Sequence, residues 1–262
     1  MNLDLTGRNA LVCGSTQGIG KAVAMELAKM GASITLLARN EEKLISVKHE
    51  LDVSKNQKHK FICVDFTNPE LLKQKTAKLI GEGELIHILI NNTGGPAGGP
   101  ALNARPEEFI QTFSNHLICN HILMQALVEG MKQASYGRII NIISTSVKQP
   151  IKGLGVSNTI RGAVANWAKT LSTELAPFGI TVNNVLPGAT YTQRITSLLE
   201  AKSQKTGQSV DDLKKEMLNE IPAARFAEAS EIASAVAFLA SPAAAYINGI
   251  NLPVDGGRTQ SL

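Results

Sequence analysis

Short, nearly uninterrupted runs of apolar and β-branched residues recur along the chain at 10–13, 33–38, 61–64, 86–90, 138–143, 181–186 and 250–254. Each predicts a strand. Between these runs the apolar positions take helical spacing, as in Ile19, Val23 and Leu27 before Gly31, or Phe109, Phe113 and Leu117 after Pro106 at a helix start. Strands that alternate with helices predict a parallel sheet covered on both faces. Continuous apolar strands fit it, because both sides of each strand are then buried. The expected fold class is therefore α/β, a doubly wound parallel sheet of about seven strands with helices on both faces.

No Pro/Gly/Ser-rich linker, composition shift or repeat divides the chain, so a single domain over 1–262 is expected. The least strand-like interval is 191–221, polar and Lys-rich, with Val210, Leu213 and Met217 spaced for one helical face. It follows a strand's carboxyl end, which predicts a lid over a ligand crevice.

Composition narrows the possibilities. With 44% hydrophobic and 18% charged positions in 262 residues, disorder is excluded. The net charge of +4 is spread along the chain and argues for neither a nucleic-acid nor a membrane partner. The densest basic stretch, SKNQKHK at 54–60, reads as a solvated loop. Cys13, Cys63 and Cys119 lie in apolar segments without metal-ligand spacing, so reduced core thiols and no metal site are expected. The amino-terminal stretch has no basic n-region before an apolar core, and no window of about 18 apolar residues occurs. A cytoplasmic location is expected.

After the first strand the sequence reads Gly14-Ser15-Thr16-Gln17-Gly18-Ile19-Gly20, where a helix opens. Glycines there let the backbone turn sharply and approach a pyrophosphate, whose charge is favoured by the free N–H groups and dipole of the helix N-terminus. The sheet is thus expected to be Rossmann-type. Where an NAD-binding chain carries an acid at the end of the second strand, this one has Leu37-Ala38-Arg39-Asn40. A guanidinium suits a 2′-phosphate, so Arg39 predicts NADP(H). Asp65 ends the third strand where a residue would touch the adenine, and Asn91-Asn92-Thr93-Gly94-Gly95 ends the fourth.

In these features the chain resembles the short-chain dehydrogenase/reductase family, in particular the 3-oxoacyl carrier-protein reductase type. Gly14 to Gly20 matches T-G-x-x-x-G-I-G with Cys13 in place of Thr, and Asn91 to Gly94 matches N-N-A-G with Thr93 in place of Ala. Gly137 to Ser144 resembles the strand that carries the catalytic Ser. Pro187-Gly188 with Thr192 resembles the segment that holds the nicotinamide, and Val254-Asp255-Gly256-Gly257 resembles the last strand. The resemblance implies a cofactor site of Gly14, Ser15, Gln17, Gly18, Ile19, Gly20, Arg39, Asp65, Asn91, Gly94, Arg161, Pro187, Gly188 and Thr192. It also implies a small-molecule carbonyl substrate, such as an acyl thioester, and a homotetramer of dihedral symmetry. Its interfaces would use helices 105–131 and 155–176 and the tail 246–262.

The catalytic positions depart from the family. Such enzymes carry Ser, Tyr-x-x-x-Lys and an Asn on the preceding helix. Here Ser144 is present, but Ser157 and Arg161 stand at the Tyr and Lys positions. Aligning Gln125-Ala126 with the family's Q-A places His116 at the Asn position, with Asn115 adjoining. Serine cannot be tuned into an acid near neutral pH, and Arg161 stays protonated. Of the three tyrosines, Tyr136, Tyr191 and Tyr246, Tyr191 is expected nearest the cofactor. His116 is read either as a core residue or as a proton donor.

Three functions follow. One is an NADP(H)-dependent carbonyl reductase with a rebuilt site of Ser144, Ser157, Arg161 and His116. Another is a non-catalytic NADP(H)-binding sensor or structural protein. The third is an enzyme of another class using the same crevice.

Overall fold

The computed structural model describes residues 1–261; Leu262, the end of the expected tail interface, lies outside the described residues. Its strands are β1 Asn9–Cys13, β2 Ser33–Ala38, β3 Lys60–Cys63, β4 Ile88–Asn91, β5 Gly137–Ile142, β6 Ile180–Pro187 and β7 Asn251–Val254. All seven pair in parallel in one sheet of order β3-β2-β1-β4-β5-β6-β7. The chain first steps outward from β1 to β3, then returns beside β1 and steps out the other way. That reversal leaves a crevice beyond the carboxyl ends of β1 and β4.

The helices are α1 Gly18–Lys29, α2 Glu41–Glu50, α3 Pro69–Gly81, α4 Pro106–Phe113, α5 Cys119–Gln133, α6 Gly155–Leu175, α7 Gln193–Thr206, α8 Val210–Asn219 and α9 Ala229–Ala240. Alternate residues along each strand feed two cores, as strand periodicity requires. Ala10, Val12, Ile88 and Ile90 pack with α1, α2 and α9, while Leu11 and Leu89 pack with α3, α5 and α6 on the opposite face. Starts are set locally. Asn40 and Asn68 side chains accept from Lys43 and Leu71 N–H at 2.8 and 3.0 Å, capping α2 and α3. No helix among the described residues is long and apolar enough to cross a membrane.

The expected reduced cysteines are free, but their burial differs. Cys13 and Cys119 are buried, with thiols pushed up by burial, whereas Cys63 is half-buried. The 54–60 stretch is not wholly solvated either: Gln57 is buried and donates to Ala28 O at 2.8 Å, which pins the loop below α1.

Amides cross four strands in one row. Asn91 Nδ2 donates to Asn141 Oδ1 at 2.8 Å, Asn141 to Asn184 at 2.9 Å and Asn184 to Asn251 at 2.8 Å, each pair being direct partners in the parallel register. Asn91, Asn141 and Asn184 are buried. Within the row each bond replaces one that a neighbour would lose on leaving water, while Asn91 Oδ1 at its end is buried without a partner.

The segment expected as one helix over 105–131 is interrupted. A π turn, Ser114–Ile118, separates α4 from α5. The expected stripe of Phe109, Phe113 and Leu117 is broken there: Phe113, just before the turn, is 38% exposed, while His116 within it is 4% exposed. Burial first, then the Arg161 charge, hold the His116 imidazole down to about 3. A second buried ring, His87, accepts from Asn9 N–H at Nδ1 (3.1 Å), and burial and Arg8 hold it down to about 4.

Both rings are therefore neutral in the folded chain, whereas unfolded histidines titrate near pH ~6.5. On acidification the unfolded chain takes up protons first. This share of the stability is complete above pH ~6.5 and is lost as the pH falls from there toward 4. Between pH 7 and pH 5 each ring should account for about 2 kcal/mol of lost unfolding free energy. Urea titrations at the two pH values should show a loss smaller by about that amount in His116→Asn. An unchanged pH dependence would mean that the folded chain protonates this ring.

Candidate functional site

Beyond the carboxyl ends of the strands lies a cleft of about 810 Å³. Its floor is the turn between β1 and α1, held by close approach. Gly14 has φ +59°, and a Cβ there would stand 2.7 Å from Asn92 Nδ2. A Cβ on Gly20 would stand 2.2 Å from Gly14 O, so the turn closes only on glycine. Asn92, just past β4, donates Nδ2 to Cys13 O and Gly14 O at 3.2 and 3.3 Å. α1 has neither a side-chain cap nor an acid in its first turn. Its free N–H groups can therefore receive an anion.

Of the residues assigned to the cofactor from the sequence, Gly14, Gln17, Gly18, Ile19, Arg39 and Asp65 line the cleft at this end. Gly94, Arg161, Pro187, Gly188 and Thr192 line it further along. Three assigned residues do not reach its wall. Ser15 is buried, and its Oγ accepts from Leu37 N–H at 3.1 Å, tying the turn to β2. Gly20 is where α1 packs on the turn. Asn91 ends the buried amide row. These three stand behind the cleft wall and support it. Arg39 projects into solvent at the end of β2, 3.6 Å from the Asp65 carboxylate, with Asn40 and Lys43 beside it on the wall. Hydrogen bonds from Thr67 and the Arg39 charge hold the Asp65 carboxyl low.

The other end of the cleft is built from β5, α6 and the segment after β6. Ser144 is the extended residue before a short turn, and its Oγ accepts from Ser146 N–H at 3.1 Å, which leaves the hydroxyl proton free. Ser157 and Arg161 lie one turn apart on α6, so both side chains leave the same face. Arg161 Nε donates to Ser157 Oγ at 3.3 Å and Nη1 to Ile142 O at 3.4 Å. Burial, then the charge of Arg194, push the Arg161 guanidinium down to about 10, so it remains cationic at neutral pH.

His116 does not join this group. Its Nε2 lies 3.1 Å from Gly94 O inside the protein, and it is absent from the cleft wall. A buried neutral imidazole bonded to a backbone carbonyl steadies the segment after β4, the place that the core-residue reading of His116 describes. Its neighbour Asn115 lines the cleft instead. None of the three tyrosines lines it. Tyr136 donates to Ala240 O at 2.7 Å beside the amino end of β5, Tyr191 is 60% exposed, and Tyr246 is fully exposed.

Sequence reasoning missed Asn92, which carries the turn, and Arg194, whose Nη2 donates to Pro96 O at 2.6 Å across the cleft mouth. Asn92 was visible as the second residue of Asn91-Asn92, while Arg194 had no local signal. Among the described residues no cluster of His, Cys, Asp or Glu could hold a metal ion. The donor set thus comprises an anion-accepting helix end, a peripheral guanidinium, and hydroxyls beside a second guanidinium. It can hold a dinucleotide phosphate and present a polar group to a carbonyl oxygen.

Comparison with known proteins agrees over nearly the full length. Residues 14–259 match the family described as enoyl-(acyl carrier protein) reductase. NADPH-dependent reductase BacG of Bacillus subtilis (strain 168) is 31% identical over 260 residues, covering 98% of this chain and 100% of that protein. A 3-oxoacyl-[acyl-carrier-protein] reductase, FabG of Rickettsia bellii (strain RML369-C), is 33% identical over 255 residues, covering 97% and 98%. The structure of L-sorbose reductase from Gluconobacter frateurii complexed with NADPH and L-sorbose superposes with a TM-score of 0.93 at 28% identity, over 100% of both chains. A likeness that leaves no strand or helix of this fold unmatched is one of descent, and the chain belongs to the short-chain dehydrogenase/reductase family.

Proposed function

We propose that this protein is an NADP(H)-dependent oxidoreductase that interconverts a carbonyl and a hydroxyl group. It would resemble 3-oxoacyl carrier-protein reductase in fold and differ from it in its catalytic group. The observation that carries this reading is continuity: one cleft joins the glycine turn and Arg39 to Ser144, Ser157 and Arg161. The NADPH dependence of BacG supports the same cofactor.

In this reading Gly14, Gln17, Gly18 and Ile19 surround the pyrophosphate at the α1 N-terminus, with Thr192 facing them. Arg39 and Lys43 hold the 2′-phosphate, and Asp65 borders the adenine. Gly94, Pro187 and Gly188 flank the nicotinamide, which when bound supplies or accepts the hydride. Ser144 and Ser157 donate hydrogen bonds to the substrate oxygen, and Arg161 holds the ribose and stabilises negative charge developing on that oxygen. Water reaching the cleft supplies the proton. Segment 191–221 carries α7 and α8 with a small core of its own, Ile195, Leu199, Leu213 and Ile221, and acts as the lid.

A second reading, a non-catalytic NADP(H)-binding protein, is favoured by one observation: no tyrosine lines the cleft and His116 is turned away from it. Loss of a positioned acid typically costs about 10² to 10⁴ in rate. The proposal also includes a homotetramer of dihedral symmetry, supported by Ile110, Phe113 and Ile118 exposed along α4 and the π turn and by the exposed Tyr246.

Arg39→Asp should reverse the cofactor order, weakening NADPH by about 10-fold or more relative to NADH in binding titrations. Equal affinities in the wild type would refute the assignment. Wild type should oxidise NADPH with a carbonyl substrate, and Ser157→Tyr with Arg161→Lys should lower that rate by about 10² as the phenol fills the substrate's place. A silent wild type that gains activity from the double change would favour the non-catalytic reading. Light scattering at micromolar concentration should give four times the 27.9 kDa chain mass; a monomer would count against the tetramer.

A further inference from the structure

Two guanidinium groups from different elements meet in the cleft without a counter-ion among the described residues. Arg161 comes from the second turn of α6 and Arg194 from the first turn of α7. Their Nη2 atoms lie 3.5 and 3.3 Å from the point where a Cβ on Gly95 would stand. Neither is within salt-bridge distance of a carboxylate among the described residues. Their hydrogen-bond partners are neutral: Ser157 Oγ and Ile142 O for Arg161, Pro96 O for Arg194. Asp65 is the one carboxylate on the cleft wall among the described residues, and it is engaged with Arg39. The first turn of α7 holds no acid and no side-chain cap, so its dipole adds to the same positive field. Like charges held together, one of them half-buried, repel. The arrangement is favourable when an anion sits between them.

The phosphates of a dinucleotide do not account for this anion. In the reading proposed above they are matched elsewhere, by the α1 N-terminus and by Arg39 with Lys43. Thr192 marks the lid's approach to the turn, since a Cβ at Gly18 would lie 3.3 Å from its Cγ2. Two residues on, Arg194 reaches away toward Gly95 and Pro96, on the side of Arg161 and Ser157. The anion therefore belongs to the substrate. Ser157 and Arg161 are hydrogen-bonded to each other, so a carbonyl on one and a carboxylate on the other are close neighbours, bonded directly or with one carbon between them. Leu154, Leu198 and Met217 line the same cleft and leave room for an apolar chain.

We infer that the substrate is a free 2-oxo or 3-oxo carboxylate, with its carboxylate held between Arg161 and Arg194, its carbonyl oxygen on Ser144 and Ser157, and a short apolar tail under the lid. This rests on the oxidoreductase reading above and names its substrate class. A forked guanidinium pairs with a carboxylate through two parallel charge-assisted bonds, which a thioester or ester cannot accept in the same way. The reaction balances as oxo acid anion plus NADPH plus one proton from water, giving hydroxy acid anion plus NADP⁺. A C–H and an O–H bond form, the carbonyl is reduced by two electrons, and the carboxylate is unchanged.

The test compares 2-oxooctanoate with its methyl ester in NADPH oxidation, and titrates octanoate by calorimetry with and without NADP⁺. Wild type should prefer the acid in kcat/KM by about 10². Arg194→Gln should reduce that preference by about 10- to 100-fold, mostly through KM, and weaken octanoate by a similar factor. Arg194→Lys should retain part of both, because it keeps the charge and loses the fork. An ester used as well as the acid, or an Arg194→Gln that weakens NADPH while leaving the acid preference intact, would overturn the inference. Octanoate binding that depends on Arg194 in a protein that reduces nothing would support the carboxylate site and reject the oxidoreductase reading. Turnover of the ester without octanoate binding would do the reverse.

Discussion

The row of amides from Asn91 through Asn141 and Asn184 to Asn251 is the constraint on which the working end of the molecule depends. A parallel strand buried on both faces normally offers only apolar groups there, and an unpaired amide would cost about 1–3 kcal/mol. By pairing in register, these amides make every slip of one strand against the next expose a buried polar group. The carboxyl ends of β4, β5 and β6 therefore stay at matched levels. The segments that leave them, 92–96, 143–154 and 187–192, form one continuous wall.

A second fixed element meets that wall at the first turn. Gly14 and Gly20 allow the turn to close on itself, and Asn92 bonds it to the end of β4, so the α1 N-terminus points into the cleft at a set distance from the β4 segment. His116 steadies the same segment from behind through Gly94. The electrostatics run along this frame. Arg39, Lys43, Arg161, Arg194 and Arg258 face the cleft against one carboxylate among the described residues, Asp65, with Arg258 engaged by Glu220 outside it. A field of one sign in a concave site favours polyanionic ligands and speeds their arrival.

The pair on α6 changes what that field can do. A tyrosine beside a lysine makes an acid of tunable pKa, whereas Ser157 beside Arg161 makes a hydrogen-bond donor beside a permanent charge. In the proposed reading such a pair orients a carbonyl and neutralises developing charge, and the proton comes through water. In the proposed reading the fixed cation at Arg161 also lets α6 hold an anion.

The strand-and-helix alternation was legible from the amino-acid order because a strand buried on both faces leaves a continuous apolar run and an amphipathic helix leaves a stripe, both written in neighbouring positions. The glycine turn was legible for the same reason: close backbone approach needs glycine at fixed local spacing. Arg39 was legible from its place at the end of β2. The π turn was not. One extra residue in a turn has no propensity signature, and the contact of His116 with Gly94 that accompanies it joins residues 22 apart in the chain. Nor was the amide row, whose members stand 50, 43 and 67 residues apart in the chain. The meeting of Arg161 with Arg194 depends on how α7 folds back over the cleft. Patterns that arise from backbone geometry within a few residues are encoded where they act. Partnerships between distant side chains exist only once the sheet has brought their strands to one edge, so tertiary packing decided which polar groups became the site.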